Sequence, residues 1–228
     1  MKKIVVLTGA GVSAESGIST FRDADGLWEG HDVMEVASPQ GFKRNPELVL
    51  DFYNQRRRQL FQVKPNNAHI QLAELEVDYD VSIVTQNVDD LHERAGSTKV
   101  THLHGELRKV RSTFDEQLVM DWDKDLNLGD LCEHNHQLRP HIVWFGEMVP
   151  MLDTAINITQ KADVLVIIGT SMQVYPAASL VNFVSHETPI FFIDPKPNVN
   201  SNQFANLTII EDKATTGVTR FIELLKKR

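Results

Sequence analysis

Short, mostly apolar runs recur along the chain at 4–7, 81–85, 164–168, 189–193 and 207–210. Each is rich in Val, Ile, Leu or Phe and has the length of a strand buried on both faces. Between them the pattern changes to helical spacing. The segment 45–62 opens with Asn45 as a cap and Pro46 in the first turn, and Leu48, Phe52, Leu60 and Phe61 supply its apolar stripe. Further helices are predicted over 67–79, 153–161, 176–186 and 216–227. Strands alternating with helices predict an α/β fold with a doubly wound, Rossmann-like parallel sheet. From 107 to 138 the pattern weakens into polar and charged residues, the mark of a smaller inserted lobe.

The candidate chemistry lies where apolar runs stop. After 4–7 comes Gly9-Ala10-Gly11-Val12-Ser13-Ala14-Glu15, followed by Ile18, Phe21, Arg22 and Trp28. Strand, glycine turn and helix start is the layout that offers backbone N–H groups to a phosphate. The spacing Gly9-x-Gly11-x-x-Ala14 fits a dinucleotide fingerprint, with Gly11 admitting a pyrophosphate and Ala14 packing closely; a purely structural turn fits it as well. The acidic residue usual about twenty positions later is missing. The irregular stretch 21–28 reads as a flap over a ligand. The run 81–85 ends in Gln86-Asn87-Val88-Asp89, suited to a carboxamide or ribose, or to capping the next helix. His102 and His104, two apart on a strand, share a face and suit either a metal pair or one base beside one structural histidine. Gly169-Thr170-Ser171 and Asp194 close two later strands; Asp194 suits ribose hydroxyls or a turn. Residues 139–147 read as a strand ending in glycine, whose Val143–Gly146 edge suits an extended peptide or simply the core. Tyr53 and Arg56, three apart on a helix, form a carboxylate receptor, although Arg56-Arg57-Arg58 fits a solvated basic face equally.

Composition narrows the classes. The 228 residues carry a formal net charge of −8, which disfavours nucleic acid and favours lysine-bearing partners. The single Cys132 excludes a disulfide framework and points to a reducing cytoplasm. The apolar run after Lys3 is too short for a signal sequence or a membrane anchor. A zinc site from Cys132, His134 and His136, with His141 or Asp115, lacks the paired spacing of a structural zinc, so no metal is expected.

Five separated motifs then agree in order: residues 9–18 with Phe21-Arg22, Thr85-Gln86-Asn87-Val88-Asp89, His102-Leu103-His104-Gly105, Val143-Trp144-Phe145-Gly146-Glu147, and Gly169-Thr170-Ser171 before Val174-Tyr175-Pro176-Ala177. Together they resemble the sirtuin family over nearly the whole chain. The resemblance implies a single NAD-dependent protein-lysine deacylase domain spanning 1–228. Its large part would comprise about 1–27, 80–105 and 139–228, and its small lobe about 28–79 and 106–138. It implies that His104 is the general base, assisted by Asn87. NAD would contact Gly9, Ala10, Gly11, Ser13, Ala14, Glu15, Ile18, Phe21, Arg22, Trp28, Gln86, Asn87, Asp89, Gly169, Thr170, Ser171, Asp194, Pro195, Lys196 and Ala214. An acyl-lysine peptide would lie along Val143, Phe145 and Gly146, and nicotinamide and O-acyl-ADP-ribose would leave. Tyr53 and Arg56 resemble the branch that prefers succinyl and malonyl groups. An NAD-consuming ADP-ribosyltransferase or glycohydrolase on the same fold is the alternative. Two departures from the family stand out. The zinc cysteines are replaced, at about Ser112, Asp115, Leu131 and His134, leaving a zinc-ribbon remnant, and Asp194 replaces the usual Asn.

Overall fold

The computed structural model describes residues 1–19, 27–28, 30–199, 204 and 206–227. Its strands are β1 (Lys3–Thr8), β2 (Leu27–Trp28), β3 (His31–Asp32), β4 (Asp80–Thr85), β5 (Val100–His102), β6 (Gly105–Ser112), β7 (Val119–Asp121), β8 (Leu138–Ile142), β9 (Val164–Ile168), β10 (Ile190–Ile193) and β11 (Leu207–Ile210). Its helices are α1 (Val33–Val36), α2 (Pro39–Arg44), α3 (Pro46–Gln62), α4 (Asn67–Glu74), α5 (Leu91–Ala95), α6 (Leu152–Thr159) and α7 (Ala214–Leu225).

The apolar runs pair as one parallel sheet in the order β11-β10-β9-β1-β4-β5. Both faces are covered, which is why the runs are continuous rather than alternating. Ile4 and Val6 of β1 face one layer with Ala68 and Leu72 of α4 and Val218 and Phe221 of α7. Val5 and Leu7 face the other, with Ala155 of α6 and Leu180. The strand order reverses at β1, so the crevice beyond its C-terminal end is where such a sheet receives ligands.

A second antiparallel sheet, β7-β6-β8, packs with α3. This region departs from expectation in several places. Residues 105–112, where the sequence pattern faded, form the longest strand described. β8 pairs with β6, so the small lobe reaches Ile142 rather than ending at 138. Residues 67–77 pack with the large sheet instead of the lobe, because Ala68, Leu72 and Leu75 join its core. The helix expected over 67–79 ends at Glu74 and continues as a 3₁₀ turn, Leu75–Val77. That expected over 176–186 is a 3₁₀ segment, Ala177–Phe183. On α3, Phe61 is 47% exposed, whereas Arg57 is buried at 1%, donating to the Leu107 carbonyl and the Asn54 amide oxygen.

Candidate active site

β1 delivers the glycine turn to the crevice. No α-helix follows it; two 3₁₀ turns do, Ala10–Val12 and Ala14–Ser16, ending at Gly17 with φ of 95°. The N–H groups of Gly9 and Gly11 donate to the Ile168 and Gly169 carbonyls, and those of Val12 and Ser13 donate within the turn. These four N–H groups therefore face the protein, not a phosphate. Gly11 is required for a different close approach from the one its spacing suggests: a Cβ there would lie 2.5 Å from Gly169 Cα. The crossing of two loops, β1–3₁₀ and β9, sets that requirement. Ala14 is exposed rather than packed on a strand. The Glu15 carboxylate accepts from the Thr215 N–H and hydroxyl, tying the turn to the start of α7 beside Ala214. Ile18 packs toward the small-lobe core. Phe21 and Arg22, with most of the expected flap, lie outside the described residues.

Beneath the turn lies a buried polar network. Asn87 Nδ2 donates to Ser13 Oγ at 3.1 Å, and Ser13 Oγ donates to Asp89 Oδ2 at 3.0 Å. His69 Nδ1 accepts from the Asn66 N–H, so its proton resides on Nε2, 3.4 Å from Ser13 Oγ. Ser13 thus receives two hydrogen bonds and gives one, and the chain ends on the Asp89 carboxyl. The capping-box geometry of Asn66 and His69 at the start of α4 fixes that tautomer. Alongside, Thr8 Oγ donates to Thr85 Oγ and lies 3.1 Å from His92 Nε2. Thr85 Oγ also accepts from the Asn87 N–H. The His69 and His92 rings are 4.8 Å apart. Burial lowers His69 to about 4 and holds His92 well below the ordinary histidine range, so both are neutral. Burial raises Asp89 to about 6, against the bonds from Leu91 N–H and Ser13. Thr8, His69 and His92 carry no signal in the sequence, and Thr85 figures there only as a motif position, since their proximity is produced by sheet topology rather than spacing.

The two strand histidines differ sharply. His102 places Nδ1 2.9 Å from the Asn87 carbonyl and Nε2 2.7 Å from Glu93 Oε1. Both partners accept, so His102 is an imidazolium. Burial opposes its charge, but the Glu93 hydrogen bond and charge outweigh it and raise the pKa. His104 donates from Nδ1 to the Gln86 carbonyl at 3.0 Å, and among the described residues no group takes its Nε2. Burial lowers its pKa, more than the Gln86 bond raises it. His104 is therefore a neutral base with an exposed lone pair, and its own carbonyl accepts from the Val143 N–H at 2.9 Å.

Around the rim, Gln86 Nε2 donates to Thr170 Oγ at 3.1 Å, linking the ends of β4 and β9, with Ser171 next to it, half-buried. Asp194 is 2% exposed, and its Oδ1 accepts from the Lys196 N–H in the turn that carries exposed Pro195.

On the lobe side, Tyr53 is 1% exposed, and its Oη accepts from Trp144 Nε1 at 2.9 Å. Trp28 packs edge-on against Phe52 and Tyr53. Arg56 is half-buried, lies over the Phe52 ring at 3.9 Å and donates to the Phe52 carbonyl. The basic triplet is thus not one solvated face: Arg57 is buried and Arg58 reaches Asp125 at the surface. Strand β8 stops at Ile142, so Val143–Gly146 is not the expected strand: Val143 and Trp144 lie outside any strand and lead into a turn at Gly146, whose φ is 90°. The Val143, Trp144 and Phe145 N–H groups donate inward, to the His104 carbonyl, Glu147 Oε2 and the Ala37 carbonyl. Glu147 also bridges Arg139 at 2.6 Å and Arg111 at 3.1 Å.

The four lobe positions do not form a zinc donor set. Ser112 Oγ donates to Cys132 Sγ at 3.3 Å and accepts from the Phe114 and Asp115 N–H groups. Leu131 offers no ligand atom and its backbone pairs with Gln137. Among the described residues no three His, Cys, Asp or Glu side chains cluster for a metal, and no helix is long and apolar enough to cross a membrane.

Residues 9–176 match the Sir2 family. An NAD-dependent protein deacylase of Helicobacter pylori (strain ATCC 700392 / 26695) is 63% identical over 214 residues, 94% of this chain and 93% of the relative. The solved structure of a Sir2 homologue in complex with NAD superposes with a TM-score of 0.88 at 42% identity, covering 99% of this chain and 90% of the other. A Sir2–p53 peptide–NAD⁺ complex gives 0.81 at 29% identity, covering 99% and 94%.

Proposed function

The chain belongs to the Sir2 family, and from that membership we propose an NAD-dependent protein-lysine deacylase that takes acidic acyl groups, succinyl and malonyl, and also acetyl. NAD-dependent protein deacylation is the activity its relatives carry. The observation that supports the chemistry here is His104, neutral and with its Nε2 lone pair available at the ends of the central strands. The residues around it suit NAD: a glycine turn at the switch point, the buried Asn87 and Asp89 amide and carboxyl, and Asp194 at the next strand end. Bound NAD supplies a ribose C1′ from which nicotinamide departs and hydroxyls that accept the acyl group. His104 holds the proton taken from one such hydroxyl. Ser13, Asn87 and Asp89 fix the orientation of the amide-binding end through hydrogen bonds to one another, with Asp89 accepting from Ser13 Oγ and the Leu91 N–H. The Gln86 carbonyl keeps the His104 proton on Nδ1 and the base side outward. The bond between the His104 carbonyl and Val143 sets the distance between the base and the peptide edge.

The acidic-acyl preference rests on Tyr53 and Arg56. A guanidinium fork and a phenol on one helix face make a receptor for a terminal carboxylate. Tyr53 is closed over in this conformation, so recognition requires this cluster to open toward the acyl chain. The test is a mass-spectrometric assay of matched succinyl, malonyl and acetyl peptides with and without NAD, on wild type and Arg56→Met. Loss of a charge-assisted bond costs roughly 1.5–3 kcal/mol, so desuccinylation is expected to fall about ten- to a hundredfold, well beyond any loss of deacetylation. Equal losses on both substrates remove the receptor. Nicotinamide release without any acyl peptide would favour the glycohydrolase alternative.

A further inference from the structure

Among the described residues the Trp144 side chain makes one hydrogen bond, to Tyr53. The indole is 2% exposed, and its Nε1 lies 2.9 Å from the phenol oxygen. An indole N–H can only donate, whereas a phenol has one proton and acceptor lone pairs. The direction of this bond is therefore not a choice of tautomer or rotor. Tyr53 must accept from Trp144, and its own proton must point to something else. Burial keeps the phenol protonated far above any working pH, so that proton is always present.

The indole is itself held on its face. The Arg139 guanidinium lies 3.4 Å from the ring centroid, on its face. Arg139 is anchored by Glu147 at 2.6 Å and by the Ile142 carbonyl at 2.9 Å. Glu147 Oε2 also takes the Trp144 backbone N–H at 2.8 Å. A cation on the indole face draws density from the ring and strengthens its N–H as a donor. The sequence Glu147, Arg139, Trp144, Tyr53 runs from the peptide-edge turn to α3 through contacts that each constrain the next.

We propose that Trp144 is a positioning residue for acyl specificity: by occupying the acceptor side of Tyr53 Oη, it obliges the phenol to donate its proton to the terminal carboxylate of the acyl group. This rests on the acidic-acyl reading of Tyr53 and Arg56. It adds that the receptor is set from outside α3, by the turn that also carries the peptide edge, so acyl chain and peptide are read by one connected unit.

The experiment measures KM and kcat for matched succinyl- and acetyl-lysine peptides at saturating NAD. The variants are Tyr53→Phe, Trp144→Phe and their combination. A fourth protein carries 3-benzothienyl-alanine at position 144, which keeps the ring shape and replaces the N–H with sulfur, so that packing is retained if Trp144→Phe folds poorly. Loss of one orienting hydrogen bond is expected to raise the succinyl-to-acetyl KM ratio roughly threefold to tenfold in both 144 variants. In the Tyr53→Phe background the change at 144 is expected to add little, because the two act on one hydroxyl. The proposal is overturned if the ratio rises in Tyr53→Phe but stays at the wild-type value with benzothienyl-alanine at 144, or if the two effects simply add. A Tyr53→Phe protein with an unchanged ratio would instead overturn the acidic-acyl reading itself, and this inference with it.

Discussion

At the end of the large sheet the buried polar groups include Thr8, Ser13, His69, Thr85, Asn87, Asp89 and His92; in the small lobe they include Arg57, Arg111 and Arg139. The first set is hydroxyls, amides, neutral imidazoles and a carboxyl with a raised pKa, connected into one network whose edge is the crevice. The second set is cationic and spent on carbonyls and on Glu147. Burying charge is costly unless it is matched on the spot, so the lobe's arginines act as internal struts. A network of hydroxyls, amides and uncharged imidazoles around a single hydrogen-bonded carboxyl carries less of that cost and can present its remaining capacity to a ligand. Buried polarity alone therefore does not mark a site; what matters is whether its hydrogen-bonding capacity closes on the protein or stays directed outward.

Substitutions on either side should separate these roles. The largest effect is expected at His104, where general-base help is typically worth ~10²–10⁴ in rate. His104→Ala should nearly silence deacylation in a steady-state assay while NAD binding by calorimetry is largely kept; lost NAD binding would place this histidine among the struts. Next is the lobe. Glu147→Gln leaves Arg111 and Arg139 buried without their shared counter-ion, and breaking such a cluster costs about 3 kcal/mol. Urea denaturation should show that loss; an unchanged midpoint would mean that these arginines do not depend on the carboxylate. The smallest effect is at Ser112, at the end of β6 in the small lobe. Ser112→Ala removes the hydroxyl that bridges Cys132 and two backbone N–H groups and should cost about 1 kcal/mol. The midpoint of thermal unfolding should not respond to a chelator, whereas a drop on chelation would reveal a metal.

The same contrast explains what the sequence made legible. Continuous runs such as 164–168 announce a strand buried on both faces, and their ends announce Asn87, Asp89, His104 and Asp194 as candidates. The strand Gly105–Ser112 was hidden because Arg108, Lys109 and Arg111 break any apolar alternation, although Arg111 is 4% exposed. Arg57 and Arg139 mislead in the same way: a side chain that normally marks surface is here interior. The His69–His92 pair leaves no spacing signal, since α4 and α5 are brought together only by the parallel crossover around β4. The glycine turn announces itself at the end of the first apolar run, but Gly11 answers to the Gly169 backbone, a contact 158 residues away that no local window contains.

The central claim is that His104, and not His102, has a lone pair free to accept a proton at working pH. An NMR titration of the imidazole resonances, assigned through His102→Gln and His104→Gln, reads this directly. His104 is predicted to titrate below the ordinary value of about 6.5, so that it stays neutral as the pH falls toward that value and the acid limb of kcat/KM lies below it; His102, held by Glu93, should titrate above it. The reverse order, with His104 remaining protonated above 6.5 and His102 neutral, would contradict the account.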